Sequence, residues 1–234
     1  MRAVLHALHG ALLCALLFRF FTPAQRMRRV GWWSARMLRL LGITLQASGT
    51  PHAGPVLLVA NHISWLDILA INAVQPARFV AKADVRHWPF LGWLVASGGT
   101  LFIERERKRD ALRVVHQVAA ALNAGEIVAV FPEGTTGDGH GVLPFHANLL
   151  QAAIATATPV QPLVLRYSDA DTAVSQAAAY LGETSLAESL WSTVRAEGLH
   201  VRIEVQTAQG TRHLDRRALA RTLRESIAGR LARP

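Results

Sequence analysis

The chain has 234 residues, of which 51% are apolar, with a mean hydropathy of +0.22 and a formal net charge of +9. That is enough length for one α/β domain plus an addition, and too little hydropathy for a protein that crosses a membrane many times. A lone Cys14 excludes an intramolecular disulfide framework and fits a reducing compartment, and ten scattered histidines without H-E-x-x-H give no reason to expect a metal.

The positive charge sits at the two ends. Residues 1–50 carry seven arginines and no acid, and residues 211–234 carry seven arginines against Asp215 and Glu225, which leaves the middle net acidic. This distribution suits an anionic lipid surface better than a nucleic-acid groove, so no nucleic-acid partner is expected. Residues 3–21 are rich in leucine and phenylalanine but are interrupted by His6, His9, Gly10 and Arg19. The clean stretch at 11–18 falls well short of the ~20 residues a spanning helix needs. Thr22-Pro23-Ala24 is a poor cleavage site, and the arginines beyond it resist export, which favours an uncleaved anchor over a cleaved signal.

Pro23 breaks the chain, and a second helix is expected from residue 25 to about 41. Val30, Trp33, Met37, Leu40 and Leu41 share one face of it, with Arg29, Arg36 and Arg39 turned away. Trp32-Trp33 among arginines favours a helix lying in the headgroup zone; the alternative is a helix covering its own domain's core. Residues 1–46 are therefore expected to form an interfacial helical pair dipping into one leaflet. Residues 47–54, small and marked by Gly and Pro, are the expected boundary, with 47–234 as the main domain.

Beyond that boundary, strand patterns at 56–60, 77–81, 100–103, 127–131, 160–167 and 200–206 alternate with helical ones. The helices are expected at 65–74, 88–96, 110–124, 149–157, 185–197 and 215–231. The alternation predicts an α/β fold with a central, mostly parallel or mixed sheet flanked by helices.

Residues 56–68, VLLVANHISWLDI, carry the chemistry. A buried strand ends in Asn61-His62, Ser64 offers a helix N-cap, and Asp67 stands at capping-box spacing before an apolar run. The loop lets the chain fold back so that Asp67 can meet His62. A carboxylate on one ring nitrogen fixes the tautomer and leaves the other free to take a proton from a hydroxyl. No G-x-S-x-G supplies a serine, so the hydroxyl would belong to the substrate. The competing reading is a buried histidine bonded to a capping aspartate.

Three further clusters follow. Gly99–Arg107 (GTLFIERER) ends a strand in a burst of charge, where Arg105 could hold a phosphate or carboxylate, or simply line a solvated turn. Phe131-Pro132-Glu133-Gly134-Thr135-Thr136 puts a carboxylate, a glycine and two hydroxyls at a strand's carboxyl end, where α/β ligands bind; as a turn it needs no function. Val160-Gln161-Pro162-Leu163 starts a strand whose prolines favour an edge or a strand start.

In order and spacing, these four pieces resemble the glycerolipid acyltransferase family that includes the 1-acylglycerol-3-phosphate acyltransferases. That family's N-H-x-x-x-x-D is matched by Asn61, His62 and Asp67, and its G-x-x-F-I-[DE]-R by Gly99, Phe102, Ile103, Glu104 and Arg105. Its F-P-E-G-T is matched by Phe131 to Thr135, and its V-x-P-[VIL] by Val160, Pro162 and Leu163. The similarity runs on more loosely from residue 56 to 206. It implies a glycerol-3-phosphate acyltransferase-like fold and transfer of a fatty acyl group from acyl-CoA or acyl carrier protein to a lysolipid hydroxyl, with no further cofactor. His62 would be the general base and Asp67 its orienting partner, with direct attack and no acyl-enzyme. The resemblance implies that Arg105, Glu133 and Gly134 bind the acceptor headgroup, with Asn61, Thr135 and Lys82 beside them. Main-chain N–H groups after Asn61 would hold the oxyanion. The partners expected are the two substrates and an anionic membrane surface, on the cytoplasmic face of the inner membrane.

The chain departs from many lysophosphatidate members after F-P-E-G-T, where Arg-Ser is replaced by Thr136-Gly137-Asp138-Gly139, and again at Phe145-His146-Ala147-Asn148. The Gly-Thr-Thr-x-Asp-Gly version resembles relatives that acylate lyso-ornithine lipid, whose zwitterionic headgroup would tolerate Asp138 better than a phosphate would. A membrane thioesterase or lipase would need a nucleophile that the sequence does not offer. A non-catalytic basic binding module would leave His62 without a role.

Overall fold

A computed structural model of the chain describes residues 1–87, 91–103 and 108–233. Its centre is β2 (Val56–Ala60), five consecutive buried residues, as a strand covered on both faces requires. β2 pairs in parallel with β5 (Ile127–Val130) on one side and β6 (Val160–Ser168) on the other. β5 is followed by β3 (Arg78–Lys82) and β4 (Leu101–Ile103), both parallel. Beyond β6 lies β7 (His200–Val205), antiparallel to it, and then β1 (Thr44–Gly49), parallel to β7. The result is a seven-stranded mixed sheet in the order β1-β7-β6-β2-β5-β3-β4.

Alternate residues of the central strands feed two cores. On one face Leu58 and Ala60 pack with Met37, Leu38 and Leu41 of α2 (Pro23–Leu40) and its C-cap, and with Leu66, Ala70 and Ile71 of α3 (Leu66–Val74). On the other, Leu57 and Val59 meet α5 (Lys108–Asn123), α6 (Leu150–Ala155) and α8 (Arg216–Leu231). α4 (Leu91–Ser97) lies near β4 in the chain, and α7 (Leu186–Arg195) joins the α3 face through a hydrogen bond from Trp65 Nε1 to Ser189 Oγ. Local signals set the helix starts. Thr22 and Gln25 form a capping box with Pro23 at the first helical position, Ser185 and Glu188 form another, and Asp215 accepts two N–H bonds at the start of α8. Each such cap stabilises by about 1 kcal/mol.

The α/β class and its mixed sheet are as expected, and three details differ. The expected boundary at 46/47 falls inside β1, a strand the sequence does not announce. It is an edge strand, mostly exposed, with no apolar alternation, held by its ladder with β7. Gly49, at φ +82, closes that ladder against Val205. β6 starts at Val160, which meets the strand-start expectation for its prolines, and it is central, so the edge alternative is not met. The neighbouring Gln161 side chain, buried, donates to Thr50 and Gln206 carbonyls and accepts from His52 N, tying the β1–β2 connection to the sheet.

The third difference concerns the helical pair. The face of α2 expected at lipid is packed on the domain at Met37 and Leu41, and Gly31 lets the helix approach Asn72 and Pro76 closely. Periodicity alone cannot separate these two destinations, because lipid and core demand the same apolar stripe. α1 (Arg2–Leu16) docks on α2 through a reciprocal pair, Trp33 Nε1 donating to His6 O and His6 Nε2 donating to Trp33 O, both 3.0 Å. Two of the residues that interrupt the first apolar run, His6 and Gly10, are thus on its inner face, while His9, Leu5, Leu8, Leu12 and Leu16 are exposed. Among the described residues, no helix is long and apolar enough to cross a membrane.

Cys14 lies on α1, and burial pushes its thiol up to about 11. At neutral pH its alkylation should run about tenfold slower than that of a free thiol, since scarcer thiolate is partly offset by greater nucleophilicity. Timed iodoacetamide labelling followed by mass spectrometry checks this.

Candidate active site

The carboxyl ends of β2, β3, β4 and β5 open on one edge of the sheet, and the marked residues leave from there. Where β2 ends, the Asn61 carboxamide takes over its hydrogen bonding. Nδ2 donates to Leu165 O (3.0 Å), and Leu165 N donates to Oδ1 (2.8 Å). The expectation that Asn61 contacts substrate is corrected here. Both its polar groups are spent on β6, and its effect is to fix where His62 leaves the sheet.

Asp67, in the first turn of α3, is fully buried. Its Oδ2 accepts from His62 Nδ1 (2.8 Å), Ile63 N (2.7 Å) and Ser64 N (2.9 Å), and its Oδ1 from Tyr167 Oη (2.8 Å). Four donors converge on the buried carboxylate and set it rigidly. Nδ1 of His62 therefore carries the proton, and Nε2 is left as the basic nitrogen. The imidazole stacks on Phe131, centroids 3.9 Å apart and planes 9° from parallel, and its side chain is 19% exposed.

Ser64 is not the N-cap. Trp65 occupies that position, and Ser64 Oγ is buried without a partner while the Asp67 N–H donates to the Ser64 carbonyl. The same bonds correct the oxyanion expectation. The N–H groups of Ile63 and Ser64 serve Asp67, and that of His62 serves Glu133.

Glu133 was expected at the acceptor headgroup. Instead, its Oε1 accepts from His62 N and its Oε2 from Leu143 N, both at 2.7 Å. Burial pushes this carboxyl above the ordinary glutamate range, and the two N–H bonds pull it part of the way back. It is a positioning residue that joins the catalytic loop to the loop after β5, aided by Gly137 N donating to His62 O (2.7 Å). Glu133→Gln would turn one of the two N–H donors against an NH₂, and should lower stability by about 1–3 kcal/mol, read as a drop of several degrees in thermal melting.

Gly134 turns at φ +76, half-buried, and Thr135 is exposed. Thr136 Oγ1 donates to Tyr180 O, anchoring this loop to the segment ahead of α7. Lys82 ends β3 at the same sheet edge, exposed. Arg105, with Glu104, lies outside the described residues. Among the described residues, no three His, Cys, Asp or Glu side chains gather as metal ligands would.

Tyr167 is the residue that sequence reasoning missed. Burial and the adjacent Asp67 raise its phenol well above the ordinary range, so it remains a donor. The available signal was a tyrosine within an otherwise apolar strand, since a buried phenol needs a partner.

A family model described as Acyltransferase matches residues 43–166, from the start of β1 almost to the end of β6. The chain belongs to the acyltransferase family. A lyso-ornithine lipid O-acyltransferase of Pseudomonas aeruginosa is 35% identical over 86% of this chain and 78% of its own length. A 1-acyl-sn-glycerol-3-phosphate acyltransferase of Neisseria meningitidis is 38% identical over 88% and 81%. The crystal structure of the 1-acyl-sn-glycerophosphate acyltransferase PlsC from Thermotoga maritima superposes with a TM-score of 0.67. That match covers 98% of this acyltransferase and 95% of that chain at 17% identity, and it shows the fold alone. The expectation of an acyl-transferring enzyme is therefore met.

Proposed function

We propose that this acyltransferase moves a fatty acyl group from acyl-CoA or acyl carrier protein to the free hydroxyl of a lysolipid, with His62 as general base. The observation that carries this reading is the His62–Asp67 pair. An imidazole held through Nδ1 by a buried, four-bonded carboxylate presents Nε2 to an incoming hydroxyl. The hydroxyl oxygen attacks the thioester carbonyl carbon as its proton passes to Nε2. The imidazolium so formed is stabilised by the carboxylate of Asp67. The carbon–sulfur bond then breaks, and the departing thiolate takes the proton back from Nε2. The ester and the free thiol are released and no acyl-enzyme intervenes.

Two acceptors fit this chemistry, lysophosphatidate and lyso-ornithine lipid. Asp138 favours the second. It is exposed, and the neighbouring Gly137 N–H is bonded to the His62 carbonyl, so its charge lies close to where a headgroup must sit. A carboxylate there repels a phosphate and pairs with an ammonium. Thr136 is a poor place to test this, because its hydroxyl is engaged by Tyr180. Asp138→Asn is the better probe and should shift relative kcat/KM about fivefold towards the phosphate acceptor, as expected for one exposed charge. Product analysis with the two lysolipids side by side reads the ratio, and an unchanged ratio would remove the argument for ornithine.

We further infer attachment to one leaflet of an anionic membrane, at the cytoplasmic face of the inner membrane; the exposed leucines of α1, within the strongly basic first 50 residues, support the attachment.

A further inference from the structure

α7 is amphipathic in the reverse sense. Its small polar residues face inward: Ser189 and Thr193 are each 1% exposed, Ser189 accepting from Trp65 and Thr193 Oγ1 buried without a partner. Its large apolar residues face outward, with Leu190 at 41%, Trp191 at 63% and Val194 at 54% exposure, and exposed Ala187 one turn before. The spacing i, i+3, i+4, i+7 makes these one stripe. The Arg195 guanidinium sits over the Trp191 ring, 5.5 Å from its centroid.

The inward face of α7 packs beside the catalytic loop. Trp65, which bonds α7, follows His62 by three residues. Tyr180, in the segment that leads into α7, donates its N–H to Ile63 O (3.0 Å) and accepts from Thr136.

We propose that α7 is a second lipid-contacting element, laying Leu190, Trp191 and Val194 on the bilayer surface beside the opening through which acceptor reaches His62. The inference rests on the reading that the acceptor is a membrane lysolipid. Three observations select a bilayer over another occupant. The patch exposes roughly 300 Å², well below the ~800 Å² per partner that a stable dimer buries. An indole capped by a guanidinium suits the headgroup zone, where the ring is half in hydrocarbon and the cation meets lipid phosphate. The stripe carries no acid, since the nearby Glu188 is turned back onto Ser185 N (2.8 Å) and Oγ (2.7 Å). Together with α1, a second contact would fix the orientation of the site over the membrane, which one short helix cannot do alone.

The test compares wild type, Trp191→Glu and Trp191→Phe as full chains. Each is sedimented with vesicles of phosphatidylethanolamine and phosphatidylglycerol, and assayed on lysolipid carried in those vesicles and on a short-chain lysolipid dispersed as monomers. Trp191→Glu should lower vesicle binding and vesicle-borne turnover about tenfold, leave turnover of the monomeric acceptor within twofold, and be largely rescued in Trp191→Phe. Unchanged binding and turnover in Trp191→Glu would overturn the proposal. So would a wild-type dimer in sedimentation velocity that Trp191→Glu dissolves. Vesicle binding needs no turnover, so it judges α7 even if no lysolipid is acylated, an outcome that would strike only the acceptor reading.

Discussion

His62→Ala should lower kcat by at least about 10³ while leaving KM for both substrates within a few-fold. The hydroxyl of a lysolipid is far too weak an acid to ionise near neutrality, so its proton must leave as the new carbon–oxygen bond forms. Among the groups bonded around Asp67, His62 is the base with a partly exposed side chain, and its Nε2 is the nitrogen not bonded to Asp67. General-base catalysis is worth about 10²–10⁴, and the same nitrogen returns the proton to the leaving thiolate, so both halves of the reaction lose it together. Stability should change little. The ring is partly exposed, and its removal costs Asp67 one of four donors. A melting curve close to that of wild type, beside a collapsed kcat, separates a chemical loss from a folding loss.

Asp67 should behave differently, because there chemistry and folding share one carboxylate. Asp67→Ala leaves His62 Nδ1, two main-chain N–H groups and the Tyr167 hydroxyl facing a buried void. Several unpaired buried donors cost about 3–5 kcal/mol together, enough to threaten folding outright. Asp67→Asn is the informative change. Its carbonyl oxygen can keep the three donors now on Oδ2, and the rotatable Tyr167 hydroxyl can turn to accept from the new NH₂. The fold should survive with a loss of about 1–2 kcal/mol. The imidazolium formed during reaction would then lack an anion, and kcat should fall about 10²–10⁴-fold. Urea unfolding and steady-state rates on the same preparation separate the two effects.

The sequence showed the centre of this arrangement more clearly than its surroundings, for identifiable reasons. β2 is legible because a strand buried on both faces must be an unbroken apolar run, and Val56–Ala60 is one. The meeting of His62 and Asp67 is legible because a strand–loop–helix passage is short enough to constrain them. β1 is not, since a polar edge strand needs nothing but a ladder. Tyr167 is 100 positions from Asp67, a separation no local pattern spans. Asn61 and Glu133 lie against the His62 loop with main-chain partners that the sequence does not reveal, because a polar side chain at a strand's end can serve substrate or main chain equally well on sequence grounds. Only the register of β6 and the return of the loop to Leu143 decide between them. Ser64 does not cap α3, because the Asp67 N–H that its hydroxyl would accept from is bonded to the Ser64 carbonyl instead.

His62 and Asp67 act as one device, and a double-mutant cycle on acyl transfer measures that directly. If Asp67 works only through the imidazole, adding Asp67→Asn to His62→Ala should lower kcat by less than about threefold beyond His62→Ala alone. Losses that multiply in the double variant would mean that the two side chains act separately, and the dyad would have to be abandoned.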